Sequence, residues 1–155
     1  ALKREHQRVV REIFGALYNF LDGKTCELYT APFDVRFIDK PFDTEEAIET
    51  VVQPDISVIC NQNKLDEKGC LGAPDLIVEI LSPGTAYKDE TEKLELYEKH
   101  KVNEYWIVNP ERKTIMVFHL EKESYSKPEY LVLEDTLKSR TLKGLEIPLQ
   151  KIWNK

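Results

Sequence analysis

Cysteine is scarce and poorly spaced for chemistry. Cys26, Cys60 and Cys70 are the three in 155 residues, odd in number and without a CxxC pair. Neither a disulfide framework nor a thiolate zinc site follows from that pattern, and three reduced thiols in a cytoplasmic protein are the expectation. Long apolar runs are also missing. No stretch approaches the roughly 18–20 residues that a bilayer demands, and the N-terminal segment interleaves arginines with apolar residues, so neither membrane insertion nor export is expected. No glycine-rich phosphate loop is present, which leaves P-loop nucleotide hydrolysis unsupported. His6, His100 and His119 show no ligand spacing, and Ser57 and Ser82 have no obvious histidine partner, so an activated serine is equally unsupported. A formal net charge of -6 rules out a uniformly basic coat, although local patches can oppose the net value. Ala1 in place of a methionine suggests a trimmed N-terminus.

What is present reads as helix, strands, helix and strands. Val10, Ile13, Phe14, Leu17, Phe20 and Leu21 recur at helical spacing over residues 2–21, and Asp22-Gly23 supplies a stop. Strands are expected at 25–30 and 34–38 around the turn Ala31-Pro32-Phe33, with an acidic loop at Asp43-Thr44-Glu45-Glu46. Two apolar segments then begin with the same dipeptide, Pro54-Asp55 and Pro74-Asp75, joined by a polar connection over 61–73 that reads as a long hairpin loop. Ser82-Pro83-Gly84-Thr85 breaks the pattern before a helix at 89–100 with Leu94, Leu96 and Tyr97 facing inward. Further strands are expected at 104–108, 114–119, 130–133 and 145–149. The order implies an α/β (α+β) domain, and 155 residues at 41% hydrophobic content suffice for one core.

Strand parity makes the two Pro-Asp segments informative. Ile56, Val58 and Cys60 form one apolar face and Leu76, Val78 and Ile80 another, so if both meet one core, Asp55, Asp75 and Glu79 share the opposite face. An antiparallel pairing with Cys60 opposite Pro74 sets Asp55 opposite Glu79, with Cβ atoms about 4.5–5.5 Å apart. That spacing suits two ligands of one divalent cation. Asp75 falls roughly 13 Å along the strand from Glu79 and is the secondary candidate. A charged residue in mid-strand between Val78 and Ile80 needs a partner, which makes Glu79 the strongest of the three. Carboxylates without a nearby His or Cys cluster favour Mg2+, or Mn2+, over zinc.

The pattern resembles the PD-(D/E)XK nuclease superfamily, and within it the Uma-two branch of putative restriction endonucleases. The likeness rests on the Pro54-Asp55 strand, on the run from Ala73 to Thr85, on Asp89 followed by Lys93 and Tyr97, and on the run from Val102 to Pro110. It extends to the first helix and to Ala31-Pro32-Phe33-Asp34-Val35. One position departs: the superfamily lysine lies two residues after the acidic residue, where this chain has Leu81. The resemblance places the substitute on the following helix, at Lys93. It implies one restriction-endonuclease-like domain over residues 1–155, a central mixed β-sheet flanked by helices, and a homodimer acting on DNA. It also implies Mg2+-dependent phosphodiester hydrolysis with Asp55 and Glu79 on the metal and Lys93 assisting the water.

Arg4, Arg8 and Arg11 share a helix face, and Lys138, Arg140, Lys143, Lys151 and Lys155 make the C-terminal part basic, either as a phosphate track or as solvated surface. Trp106 and Tyr105, in a strand pattern, are expected in a core or dimer interface. Two other functions compete with the nuclease. One is a catalytically weak or inactive nuclease-fold module that binds nucleic acid or a protein partner, suggested by the acidic charge and the displaced lysine. The other is a carboxylate-pair glycosidase, for which no aromatic sugar platform is evident.

Overall fold

The computed structural model describes residues 3–39, 50–85 and 87–154. The acidic loop at 43–46 and Lys155 lie outside them.

Helix α1 (Arg4–Leu21) buries His6, Val9, Ile13, Leu17 and Leu21, a stripe at three- and four-residue intervals that begins one turn before the apolar pattern. That stripe packs on a mixed sheet whose strand order is β1 (Glu27–Thr30), β4 (Ile56–Ile59), β7 (Leu76–Ile80), β8 (Glu104–Asn109), β9 (Thr114–Glu121) and β10 (Ser124–Tyr125), with β11 (Glu129–Leu131) also on β9. Every pairing is antiparallel except β7 with β8. A parallel neighbour requires a crossover, and α2 (Tyr87–Lys99) makes it.

β4 and β7 are buried on both faces. Ile56, Val58, Leu76, Val78 and Ile80 pack toward α1 and the C-terminal helix α3 (Leu149–Trp153), while Ile59 and Ile77 pack with Tyr97 of α2 and with Tyr105, Ile107 and Phe118. Trp106 is a core residue, and its indole N–H donates to Glu104 Oε2 at 2.6 Å. Glu104 is itself fully buried, and it also accepts from Ser139 Oγ and from the backbone N–H groups of Arg140 and Thr141, which fastens the 139–142 loop to the sheet. Truncating a buried α1 residue such as Ile13 or Leu17 to alanine should cost about 2–5 kcal/mol.

Three features differ from the sequence expectation. The 61–73 connection is not a plain loop: after a short 3-10 turn it forms β5 (Leu65–Asp66) and β6 (Gly69–Leu71), which join β2 (Val35–Phe37) and β3 (Thr50–Val52) in a second sheet ordered β3-β2-β6-β5. Gly69 is required there, because at its φ of +128° a Cβ would lie 2.3 Å from the Asp34 carbonyl oxygen. The C-terminal segment is a hairpin, β12 (Thr136–Lys138) with β13 (Glu146–Pro148), that runs into α3. Cys26 and Cys60 are bonded to each other, whereas Cys70 is free and buried. The Glu27↔Ile59 pairing of β1 with β4 brings those two cysteines opposite one another at the next step outward. The expectation of three reduced thiols is therefore corrected to one, and the cysteine argument for a reducing compartment does not extend to this pair.

Candidate active site

The β4–β7 ladder pairs Ile56 with Val78, Ser57 with Ile77 and Val58 with Leu76, a register that sets Asp55 opposite Glu79 at the next step. Two backbone donors mark the junction. Asp55 N–H donates to Glu79 Oε1 at 3.1 Å, and Ile80 N–H donates to Asp55 Oδ2 at 2.8 Å.

Glu79 is 6% exposed and has three protein partners. Besides Asp55 N–H, its Oε2 accepts from the Tyr97 hydroxyl at 2.8 Å and lies 3.1 Å from Lys93 Nζ. Lys93 and Tyr97 stand four residues apart on α2, so one helix face supplies both. Burial pushes the Glu79 carboxyl above its usual range; the Lys93 ammonium pulls the other way, the Asp55 carboxylate adds to the rise, and the hydrogen bonds from Tyr97 and Asp55 N–H oppose it. Lys93 is about half exposed, so its ammonium meets Glu79 from the solvent side. Leu81, where the superfamily pattern has lysine, instead donates its N–H to the Val108 carbonyl and packs beside the α2-side core.

Asp75 sits at the far end of β7 and takes a different part. Its Oδ1 accepts from Cys60 N–H at 2.7 Å, and its N–H donates to the Val58 carbonyl at 2.9 Å, which closes the hairpin end away from the pair.

His6 was not among the sequence candidates. The ring is buried, with Nε2 3.0 Å from the Ile80 carbonyl and 3.5 Å from Asp55 Oδ2. The available signal was its place on the α1 stripe, one turn before Val9. A cavity of about 210 Å3 is lined by His6, Gln53, Asp55, Glu79, Lys93 and Tyr105, and it adjoins a groove of about 740 Å3 between the start of α1, the 81–85 loop and residues 109–112. The basic track expected along α1 is largely engaged elsewhere: Arg8 pairs with Glu5 at 2.8 Å and donates to the Ile152 carbonyl, and Arg11 pairs with Glu12.

Among the described residues, no group of three or more His, Cys, Asp or Glu side chains is arranged to hold a metal ion. A pair of carboxylates nevertheless fits Mg2+, which commonly keeps several waters and takes one or two carboxylates together with substrate phosphate oxygens.

Comparison with known proteins agrees with this architecture. A crystal structure of a putative nuclease belonging to DUF820 from Anabaena variabilis superposes with a TM-score of 0.78 over 98% of this chain and 82% of that one, at 18% identity, a likeness of fold. An uncharacterized protein of Synechocystis sp. is 26% identical over 102 residues, 65% of this chain; the chain spans about half the length of that curated relative (50%). The family profile of the Uma2 putative restriction endonucleases matches residues 1–150, nearly the whole length, and includes both carboxylate strands and α2. With a nuclease-like sheet beneath and that profile over it, the chain belongs to the Uma2 family.

Proposed function

We propose that residues 1–155 act as one restriction-endonuclease-like domain that hydrolyses phosphodiester bonds in DNA, with Asp55 and Glu79 holding Mg2+ or Mn2+ and Lys93 assisting. The observation that carries this reading is the approach of Lys93 Nζ to within 3.1 Å of Glu79, from a helix, at the point where Asp55 comes opposite. A bound divalent cation would supply Lewis-acid polarisation of a phosphoryl oxygen and a lowered pKa for a neighbouring water. The chain's own residues do the rest. Tyr97 and Asp55 N–H fix the Glu79 carboxylate while leaving Lys93 on its outer side. The half-exposed Lys93 ammonium beside Glu79 would orient the attacking water or offset charge developing on the phosphate. The adjoining groove gives a strand room to pass the pair. A homodimer, so that two sites address two strands, and a cytoplasmic location complete the reading.

One observation favours the inactive-module alternative. Glu79 already has three protein partners, so the Glu79–Lys93 pair also makes sense as a structural ion pair. Incubation with plasmid and with single-stranded DNA, with and without Mg2+ or Mn2+, separates the two. Cation-dependent cleavage that Glu79→Gln abolishes supports the nuclease; DNA binding without cleavage under every cation supports the module.

A further inference from the structure

By the β4–β7 register, the residue opposite Ile80 is Pro54. Proline has no N–H, so this position cannot offer the Ile80 carbonyl a ladder hydrogen bond. A side chain from another element takes that place: His6 Nε2, 3.0 Å away. A carbonyl oxygen only accepts, so the proton lies on Nε2. The same N–H lies 3.5 Å from Asp55 Oδ2, which is also the acceptor for Ile80 N–H. His6, the Ile80 peptide and Asp55 thus form a closed three-way link in which both ends of one backbone residue and one carboxylate oxygen are held. Among the described residues Asp55 Oδ1 has no donor, which leaves it for a ligand.

A histidine kept only for packing would not be expected to carry its other nitrogen bare. Among the described residues His6 Nδ1 is buried with no hydrogen-bond partner, and an unpaired buried polar atom is costly where an aliphatic side chain would avoid it. Among the described residues, the polar contacts of His6 run through Nε2, toward Ile80 and Asp55. The ring also lines both the small cavity and the adjoining groove.

We propose that His6 is a positioning residue: it ties α1 to the end of β7 and turns the Asp55 carboxylate so that Oδ1 is presented to the cation. The proposal rests on the reading of Asp55 and Glu79 as cation ligands, and it assigns His6 no contact with the cation or the phosphate. Partners that orient a ligand are typically worth about 10- to 100-fold in metal affinity.

The test is Mn2+ titration by calorimetry of the wild type and of Asp55→Asn, His6→Leu, His6→Asn and His6→Gln, together with amide hydrogen exchange of the segment containing Ile80 in metal-free protein. Glutamine places an amide N–H near the position of Nε2, whereas asparagine stops short, near Nδ1. Mn2+ affinity should fall about 10- to 100-fold in the Leu and Asn variants and stay close to wild type in the Gln variant. Exchange at Ile80 should rise and recover in parallel. Wild-type affinity in His6→Asn alongside its loss in Asp55→Asn would overturn the proposal while leaving the cation reading intact. A wild type that binds no Mn2+ would sink the cation reading, and the exchange data then decide whether His6 holds the Asp55 link, unchanged protection in His6→Asn overturning it. If His6→Leu fails to fold, the Asn and Gln pair carries the comparison.

Discussion

Asp55 and Glu79 hold each other through the backbone: Asp55 N–H donates to Glu79 Oε1, and the N–H of the residue after Glu79 donates to Asp55 Oδ2. Like charges brought together this way repel, which is tolerable where a cation is available to them. Lys93 is that cation in the structure.

Replacing Glu79 should therefore separate chemistry from stability. Glu79→Leu strands the buried Tyr97 hydroxyl and should cost about 1–3 kcal/mol, whereas Glu79→Gln keeps an acceptor and should cost less. Both should abolish Mg2+-dependent cleavage. Urea unfolding beside a plasmid assay measures the two effects on the same preparations, and a Gln variant that cleaves normally would remove Glu79 from the site.

Lys93→Met should lower cleavage by about 10²–10³-fold, the scale of losing one charge-stabilising donor. Mn2+ affinity should hold or rise, because a lysine at Glu79 Oε2 would compete with a metal for that oxygen. Full cleavage by this variant would reject the helix lysine while leaving the carboxylate pair untouched.

In the second sheet, a hydrogen bond from the Arg36 guanidinium holds the Asp66 carboxyl below its usual range. A depressed carboxyl pKa stabilises the fold above the unfolded value, about 3.9, and that contribution disappears as pH falls through the folded value. Asp66→Asn should accordingly lower the unfolding midpoint at pH 7 and lose its effect as pH falls through the depressed folded-state value. A difference from wild type that stays constant with pH would show that the ion pair is not its source.

Burial pushes the Cys70 thiol up to about 11, so little thiolate is present near neutrality. Iodoacetamide at pH 8 should leave the folded protein nearly unlabelled. Denaturation without reductant should then expose one reactive thiol, and reduction the other two, countable by mass spectrometry. Three thiols without reductant would contradict the Cys26–Cys60 bond.

The sequence was most legible where periodicity is strong and partners are local. Parity put Asp55 and Glu79 on one face, and a pairing with Cys60 opposite Pro74 set them opposite each other, the register the ladder has. Lys93 was a different case. In an Asp-Glu-Thr-Glu-Lys run a lysine looks solvated, and only the family resemblance singled it out, since its approach to Glu79 depends on how a crossover helix lies on the sheet. The second sheet was missed because strands of two or three residues, such as Leu65–Asp66, carry no period to detect. His6 lay on a readable stripe, but its target is a carbonyl 74 residues away. The Cys26–Cys60 bond depends on β1 lying beside β4, a pairing that cysteine spacing does not encode.

The parallel step from β7 to β8 decides which element carries the counter-charge. The β4–β7 ladder brings the two carboxylates together, but their counter-charge is carried on the crossover and reaches them through the docking of α2. A chain arrested before that step would hold two neighbouring anions with no neutralising arm. Docking of the crossover helix and neutralisation of the carboxylate pair are then one event.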